Sequence, residues 1–404
     1  MQGETRPMKI TGYRSVSTVH DWGRVTGDVN GVQSSHATSV PVLIIETDTG
    51  IEGVGLGSHA DIARVFPAIE GDDPRSVVAL YDRMLAWVFK AGHSGSTFGT
   101  IGAVDMALWD IKAKAADEPL WRTLGARSRF VPGYASGLEY GLPDEQIAEL
   151  YGRFADRGFK AGKLKGGRDL DCDLPRLEIM RDVLSRNSRR PALMFDANES
   201  WNHAQATRYV AAIEDRMDLT WVEEPLRRWD AAGMAALRGK VRAAIASGEN
   251  LTGLEQYRPL LDANAVDIVQ IGNVWGITHF LRVATLAHAH DLPVSPVAYN
   301  ANPVAHAAAA VPNLLTCEVQ DLRFPIGLDV DQQFEDGGIV LGDRPGIGIV
   351  VDESQMSPVG ATAPQPAASG PHIRPERAAL RLVAEPDRMD AASHPGGGRC
   401  DPST

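Results

Sequence analysis

The sequence has little that would support a disulfide-rich, membrane or nucleic-acid-binding protein. Its 404 residues include three cysteines, Cys172, Cys317 and Cys400, too few and too scattered for a disulfide framework or a zinc site. No apolar run approaches transmembrane length, and residues 1–7 lack the apolar segment of a signal peptide. The formal net charge of -12 argues against nucleic-acid binding, which requires a basic surface. These absences predict a cytoplasmic protein with neither a membrane nor a nucleic-acid partner.

What the sequence does contain is a series of short apolar runs that lead to a carboxylate. Asp196, Glu223 and Glu249 stand 27 and 26 residues apart, close to the length of one strand–helix–strand unit. Taken singly, each is equally well explained as a helix N-cap, because acidic residues are common where a strand passes into a helix. In a parallel barrel, all strand C-termini lie on one face, so the three carboxylates would converge there. Three oxygen ligands suit a hard cation, and we predict Mg2+.

The segments around these residues alternate between strand-like and helix-like patterns, which is typical of a parallel α/β barrel. The eight candidate strands lie within residues 131–136, 159–167, 194–201, 221–225, 247–250, 265–270, 292–296 and 314–319. Strand-like residues 8–57 and helical residues 60–126 come before them and predict a separate α+β module. Glycines 53, 55 and 57 have G-x-G-x-G spacing inside a predicted hairpin, so we interpret them as strand-end glycines rather than a dinucleotide fingerprint.

Two lysines precede the first carboxylate by about one barrel unit. Lys163 and Lys165 alternate along one strand, so both side chains face the same side. Taken alone, such a pair would be an ordinary exposed K-x-K, because lysines are mostly on the surface. In a barrel mouth opposite three carboxylates, each ammonium group would instead lower the pKa of the other. Lys165 could then take the proton from the carbon beside a substrate carboxylate held by the metal ion.

With these residues in view, the chain resembles the enolase superfamily, specifically its mandelate racemase/muconate-lactonising branch, over about residues 8–353. The matching motifs are Lys163-x-Lys165, Asp196-x-Asn198, Glu223-Glu224-Pro225, Gly248-Glu249-Asn250, residues 107–112 and residues 343–348. The resemblance implies Asp196, Glu223 and Glu249 as Mg2+ ligands, Lys165 as the base and Lys163 as the group that steers the substrate carboxylate. It further implies that Asn198 and Glu318 hydrogen-bond the substrate.

The same resemblance implies the domain organisation. We expect an α/β protein with an α+β capping domain on a modified (β/α)7β TIM-like barrel. The expected limits are 1–130 for the capping domain, 131–322 for the barrel, 323–356 for a segment that completes the capping domain, and 357–404 for a flexible tail rich in Pro, Ala, Gly and Ser. A small-molecule carboxylate is the expected ligand, and a homo-oligomer the expected assembly.

The chain departs from the family at two strand ends. Mandelate racemase-like members carry an Asp after strand six and a His after strand seven, but these positions read Ile271-Gly272 and Pro296-Val297. His306 lies in an Ala-rich helical segment and is interpreted as structural, whereas His288 and His290 are interpreted as helix-end residues. The nearest candidate for a second acid or base is Tyr299, together with Asn300.

The missing second base favours one reaction over the others. Inversion of a stereocentre requires bases on both faces, whereas one lysine suffices to dehydrate an aldonate or aldarate. The leaving hydroxyl would take its proton from Lys165 or Tyr299, and Arg24 and His20 in the segment before the first hairpin would select the distal end of the substrate. The alternatives are a racemase, epimerase or cycloisomerase of a carboxylic acid, and a non-catalytic acid-binding member.

Overall fold

The computed structural model describes residues 7–33, 35–90, 92–297 and 301–359. Tyr299 and Asn300, and nearly all of the predicted tail, therefore lie outside the described residues. The described chain forms an N-terminal α+β unit and a parallel barrel, as the sequence predicted. In the described part, no helix combines the length and the apolar character needed to cross a membrane.

The N-terminal unit consists of antiparallel strands followed by helices. Its strands are β1 (Ile10–Asp21), β2 (Thr26–Asp28), β3 (Gly31–Gln33), β4 (Ala37–Thr47) and β5 (Gly53–Leu56). Its helices are α1 (Ile62–Val65), α2 (Val77–Trp87), α3 (Ser96–Ala115) and α4 (Leu120–Thr123), with a 3-10 turn at Phe66–Ala68. β4 pairs with both β1 and β5, while β2 and β3 form a separate two-stranded hairpin.

The glycines of β5 allow a close contact between the sheet and the long helix α3. A Cβ atom at Gly53 would lie 2.1 Å from the carbonyl oxygen of Ala107, and one at Gly55 would lie 1.9 Å from that of Ala103. Both distances are far below van der Waals contact, so a side chain at either position would force the helix off the sheet. The interpretation of these residues as strand glycines is confirmed, since Gly53–Leu56 is a strand.

Eight parallel strands form the barrel, as predicted. They are β6 (Phe130–Ser136), β7 (Ala161–Lys165), β8 (Ala192–Asp196), β9 (Trp221–Glu223), β10 (Ala244–Ser247), β11 (Ile268–Gly272), β12 (Val294–Val297) and β13 (Cys317–Val319). Seven helices connect them: α5 (Asp144–Ala155), α6 (Leu170–Leu184), α7 (His203–Glu214), α8 (Ala231–Arg238), α9 (Leu254–Asp262), α10 (Ile277–His288) and α11 (Ala305–Ala308), with a 3-10 turn at Asn273–Trp275. Neighbours from β6 to β12 pair in sequence order, and β13 pairs with β6.

The barrel interior is closed below its C-terminal mouth by one apolar layer. This layer consists of Tyr134, Met194, Trp221, Ala246 and Ile268, a cluster separate from the main core. Successive side chains in a strand point to opposite faces, so Asp196 and Glu223, two positions after Met194 and Trp221, point to the same interior. The strands therefore deliver their last residues into the mouth of the barrel, above an apolar floor.

The segment after the barrel, which the sequence analysis assigned to the capping domain, contacts both units. It contains β14 (Leu328–Val330), β15 (Gln332–Glu335), β16 (Gly338–Leu341), β17 (Ile349–Val351), a 3-10 turn at Glu353–Gln355, and β18 (Ser357–Pro358). β16 pairs with the barrel strand β6, but β18 pairs with β1, and the Ile347 backbone N–H donates to Asp110 of α3. Residues 357 and 358 thus belong to the folded part of the chain, and the domain limits themselves stay a prediction.

Candidate active site

The register of the barrel strands brings the predicted charged residues to one level of the mouth. Lys165 in β7 lies opposite Asp196 in β8, and Asp196 lies opposite Glu223 in β9. Glu223 in turn lies opposite Ala246 in β10, and Glu249 follows on the loop after that strand. All four charged side chains are buried. The spacing noticed in the sequence therefore corresponds to neighbouring positions in space.

Lys163 is fully buried and surrounded by carboxylates. Its Nζ lies 2.5 Å from Glu223 Oε1, 2.8 Å from Glu318 Oε1 and 3.5 Å from Asp196 Oδ2. It also donates to the Tyr134 hydroxyl at 3.3 Å. This geometry excludes the interpretation of Lys163 as an ordinary exposed lysine. Burial acts to lower the pKa of Lys163, but the negative charges around it prevail and hold the pKa well above its usual value.

Lys165 lies at the edge of the same cluster and is 4% exposed. Its Nζ is paired with Asp196 Oδ2. Burial and the neighbouring ammonium of Lys163 both lower the pKa of Lys165, but the charges of Asp196, Glu249 and Glu223 together outweigh them, and the pKa is raised. The lowered pKa is expected in a site that also holds the predicted metal ion, so that expectation stays a prediction.

The three predicted metal ligands form an excess of buried negative charge. Burial and the nearby charge of Asp196 raise the pKa of Glu223 to about 8. Burial likewise raises the pKa of Glu249 to about 7. Among the described residues no three such side chains already enclose a metal position, and the lysine ammonium groups are paired with Asp196 and Glu223. The donor set nevertheless fits a hard divalent cation, because it consists of carboxylate oxygens whose mutual repulsion needs positive charge.

Asn198 and Glu318, the predicted substrate-binding residues, lie after β8 and in β13. Asn198 is 9% exposed, and its side-chain Oδ1 has no hydrogen-bond partner among the described residues. Its backbone N–H donates to Asp196 Oδ1 at 2.9 Å. Glu318 is fully buried, pairs with Lys163 and accepts a hydrogen bond from Gln320 at 3.0 Å. Glu318 thus contacts the charged cluster from β13, while Asn198 is joined to it through its backbone N–H.

His20 and Arg24 are both buried beside the barrel mouth. The His20 Nε2 lies 3.0 Å from Asp321 Oδ2, and His20 lines a small cavity that Glu318 also lines. Arg24 is 8% exposed, and burial lowers its pKa while the charges of Glu139 and Asp321 oppose that effect. Their proposed role in selecting the distal end of a substrate stays a prediction.

The ends of barrel strands six and seven carry no acid or base among the described residues. β11 ends on Ile271 and Gly272, and β12 ends on Pro296 and Val297. Just before these ends, Gln270 and Ser295 lie opposite each other, buried, with no hydrogen-bond partner for either side chain in the described chain. They supply polar groups to this side of the mouth, but neither side chain is a general base at neutral pH.

The interpretation of the histidines as structural is confirmed. His306 accepts a hydrogen bond from the Trp121 backbone N–H at 3.2 Å, and its Nε2 lies 3.2 Å from the Ile347 carbonyl oxygen. His306 thus joins the barrel to the N-terminal unit, and burial lowers its pKa to about 4. His288 ends α10, as expected.

Two buried carboxylates escaped the sequence analysis. Glu139, on the loop after β6, accepts a hydrogen bond from the Lys165 backbone N–H at 2.6 Å. Asp173 of α6 accepts from the Gly167 backbone N–H at 2.7 Å and from the Tyr209 hydroxyl at 2.5 Å. Glu139 follows a strand end and could have been found by the argument used for the other carboxylates. No such signal marks Asp173, because it lies within a helix.

Asp173 and Trp201 hold the loop that follows Lys165. Gly167 has φ +113°, a conformation open to glycine, and its carbonyl oxygen accepts from Trp201 Nε1 at 2.6 Å. Burial raises the pKa of Asp173 to about 7, although Tyr209 and the Gly167 N–H oppose the shift. The loop beside the proposed base is thus fixed by a carboxyl group that titrates near neutral pH.

We expect this carboxyl group to make the protein more stable in mild acid. The folded state keeps the Asp173 proton up to about pH 7, whereas the unfolded chain releases it near pH 4. Its contribution is therefore greatest at low pH and is lost as the pH rises through 7, by at most about 1.4 kcal/mol per pH unit. In urea denaturation, the free energy of unfolding should fall more between about pH 5 and about pH 8 for the wild type than for Asp173→Asn, which cannot titrate at this position. Equal losses of stability in the two proteins would contradict the raised pKa of Asp173.

Comparison with known proteins agrees with this geometry. Residues 146–355 match the family described as "Enolase C-terminal domain-like". Residues 16–125 match the "Mandelate racemase / muconate lactonizing enzyme, N-terminal domain". Together the two matches span the barrel from α5 onward, most of the N-terminal unit and nearly all of the segment that follows the barrel, while β6 lies between them.

Individual relatives cover most of the chain. A 3,6-anhydro-alpha-L-galactonate cycloisomerase from Streptomyces coelicolor is 33% identical over 71% of this chain and 79% of its own length. An L-talarate/galactarate dehydratase from Salmonella typhimurium is 31% identical over 78% of this chain and 82% of its own length. The crystal structure of a racemase from Streptomyces coelicolor A3(2) with bound magnesium superposes with a TM-score of 0.78 at 29% identity, covering 86% of this chain and 98% of that one.

Proposed function

Because the chain belongs to the mandelate racemase/muconate lactonizing enzyme family of the enolase superfamily, we propose that it is a Mg2+-dependent enzyme that dehydrates a sugar acid. The reaction begins with removal of the proton next to the substrate carboxylate. The observation that carries the proposal is the pair of buried lysines at the strand end that faces three buried carboxylates. The similarity to the talarate/galactarate dehydratase supports the substrate class.

We assign Asp196, Glu223 and Glu249 as the ligands of the metal ion. The oxygen donors and the excess negative charge support the assignment, as does the magnesium in the related racemase structure. Bound there, Mg2+ would supply the positive charge that binds the substrate carboxylate and makes the adjacent C–H bond more acidic.

Lys165 is the proposed base. To accept a proton it must exchange its contact with Asp196 for one with the substrate, and it must lose its own proton. Its position at the end of β7 suits this exchange, because it is the more exposed of the two lysines, at 4% against 0% for Lys163. Lys163 remains charged among its carboxylates and orients the substrate carboxylate through its ammonium group.

Loss of the β-hydroxyl group completes the dehydration. Lys165, protonated in the first step, can return that proton to the leaving oxygen, so one base serves both steps. Tyr299 is the alternative donor and lies outside the described residues. Asn198 and Glu318 are proposed to bind substrate oxygens, and the unpartnered Oδ1 of Asn198 supports this role.

A cycloisomerisation is the second candidate, because the 33% identical relative is a cycloisomerase. It too needs one base to remove the α-proton, so the site does not distinguish the two reactions. A racemase or epimerase is disfavoured, since the ends of β11 and β12 carry no second base among the described residues.

Incubation with a panel of aldonates, aldarates and anhydro-sugar acids in the presence of Mg2+ tests the proposal. A dehydratase releases a 2-keto-3-deoxy acid with loss of water, whereas a cycloisomerase gives a product of unchanged mass. Reaction in deuterated water separates both from a racemase, which incorporates deuterium into recovered substrate with inversion. Binding without turnover would indicate a non-catalytic member. A homo-oligomeric assembly and a cytoplasmic location stay predictions.

A further inference from the structure

The loops that follow three neighbouring barrel strands are joined by one arginine side chain. Arg228, after β9, donates from its Nε to Glu199 Oε1 at 2.6 Å and from its backbone N–H to the same oxygen at 3.3 Å. Its Nη1 also donates to the Asn250 carbonyl oxygen at 3.4 Å. Glu199 follows β8 and Asn250 follows β10. Arg228 therefore connects the three loops that adjoin the proposed metal ligands.

Two of these loops hold a backbone conformation that is unfavourable for their residues. The φ angle is 60° at Glu199 and 41° at Glu224, in the left-handed region that residues other than glycine adopt at a cost. The Glu199 backbone N–H donates to the Glu224 carbonyl oxygen at 2.7 Å, which ties the loop after β8 to the loop after β9. Such a conformation persists only where neighbouring groups hold it, and the contact between Arg228 and the Glu199 carboxylate is a second tie between the same two loops.

The same network reaches a metal-ligand side chain. Asn250 Nδ2 donates to Glu249 Oε1 and to Glu224 Oε1, both at 3.1 Å. Asn250 thus passes the constraint from Arg228 to the Glu249 carboxylate. Burial lowers the pKa of Arg228, but its hydrogen bond to Glu199 and the charges of these carboxylates raise it overall. The arginine therefore stays charged among the acidic groups that it joins.

We propose that Arg228 is a positioning residue for the Mg2+ site. By holding the loops after β8, β9 and β10 together, it keeps Asp196, Glu223 and Glu249 at the spacing that one cation requires. The Glu199 side chain is 9% exposed and that of Arg228 34%, so the pair is more enclosed than the exposed ion pairs that contribute little. The inference rests on the proposed function, because it takes the metal ligands from it.

Substitution of Arg228 separates positioning from simple electrostatics. Removal of a positive charge near a cation site should by itself tighten Mg2+ binding, because like charges repel. Loss of a positioning contact should weaken it, since carboxylates that are free to move apart must be ordered again when the ion binds. Lysine separates the two effects further, because it keeps the charge but lacks the planar donors that reach Glu199 and Asn250 together.

The test measures the Kd for Mg2+ without any acid present, from the rise in Tm of the full chain as MgCl2 is added. The proteins are the wild type, Arg228→Lys, Arg228→Gln, Glu199→Gln and the control Arg238→Gln. Arg238 makes matching contacts elsewhere, because its Nε lies 2.6 Å from Asp267 Oδ1 and its Nη1 donates to the Asn264 carbonyl oxygen at 3.3 Å. It ends α8, ahead of β10, and so lies at the opposite end of the barrel from the metal ligands.

We expect Arg228→Lys, Arg228→Gln and Glu199→Gln each to raise the Kd for Mg2+ by about tenfold, the lower end of the range for partners of metal ligands. The double variant Arg228→Gln/Glu199→Gln should raise it no further, because both changes break the same contact. Arg238→Gln should bind Mg2+ as the wild type does, whatever its Tm without the ion. An unchanged Kd in Arg228→Lys, or an unchanged or lower Kd in Arg228→Gln, would overturn the inference while leaving the proposed function in place. If Mg2+ produces no rise in the wild type, the metal assignment of the proposed function fails, and the inference fails with it.

Discussion

Replacement of Lys165 with alanine should lower kcat by about 10²–10⁴-fold for any sugar acid that the wild type converts, the usual range for loss of a general base. Lys165 is the more accessible of the two lysines in the mouth, and it lies against Asp196. No other lysine among the described residues is paired with that carboxylate apart from Lys163, which Glu223 and Glu318 hold in place. The rate is measured under saturating Mg2+ and substrate.

Lys160→Ala provides the matched control. Lys160 precedes β7 on the same segment and is exposed, so its loss tests whether any lysine-to-alanine change there impairs the enzyme. Ligand-induced changes in Tm show whether Lys165→Ala still binds the acid. A variant that binds and also turns over at the wild-type rate would remove Lys165 from the mechanism.

The second large effect is expected on Mg2+ binding, from substitution of the carboxylates that we assign as metal ligands. Asp196→Asn and Glu223→Gln should each weaken Mg2+ binding by at least about 100-fold, since even indirect partners of metal ligands contribute about 10–100-fold. Mg2+ at 100 times its Kd should raise the free energy of unfolding of the wild type by about 2.7 kcal/mol. The same concentration should produce almost no rise in either variant.

The comparison is made within each protein, with and without Mg2+, because Glu223 is also paired with Lys163. Its substitution therefore changes stability apart from any effect on the metal ion. Glu70→Gln, at an exposed position of the capping domain, should keep the full Mg2+-dependent rise. If Asp196→Asn and Glu223→Gln kept it as well, the metal ion would have to bind elsewhere.

The barrel strands and the charged cluster could be predicted from the sequence because they follow from local patterns. Lys165, Asp196 and Glu223 each occupy a strand end, and parallel strands place their ends at one level. The alternation of strand-like and helix-like patterns identified the eight strands. The protonation of the lysines could not be predicted in this way, because it depends on how many carboxylates lie within a few ångströms of each ammonium group.

Residues outside the strand ends were missed for a related reason. Asn30 donates to the Asn198 carbonyl oxygen only because the β2–β3 hairpin crosses β7, and nothing near position 30 in the sequence encodes that contact. Asp173 lies in a helix and acts through the loop after Lys165. The C-terminal segment was predicted to complete the capping domain, and the additional pairing of its strand β16 with β6 was not foreseen. Each of these outcomes depends on tertiary packing between distant segments.

The pairing of β18 with β1 has a consequence for biosynthesis. Arg14 of β1 forms an ion pair with Glu353, 339 positions later, and β1 receives its last partner strand at residues 357–358. At about 5–20 residues per second, the ribosome needs on the order of half a minute to deliver that partner. During this interval the part of the β1 edge that β18 covers, at Val16 and Ser17, is unpaired in the nascent chain and open to association with other chains.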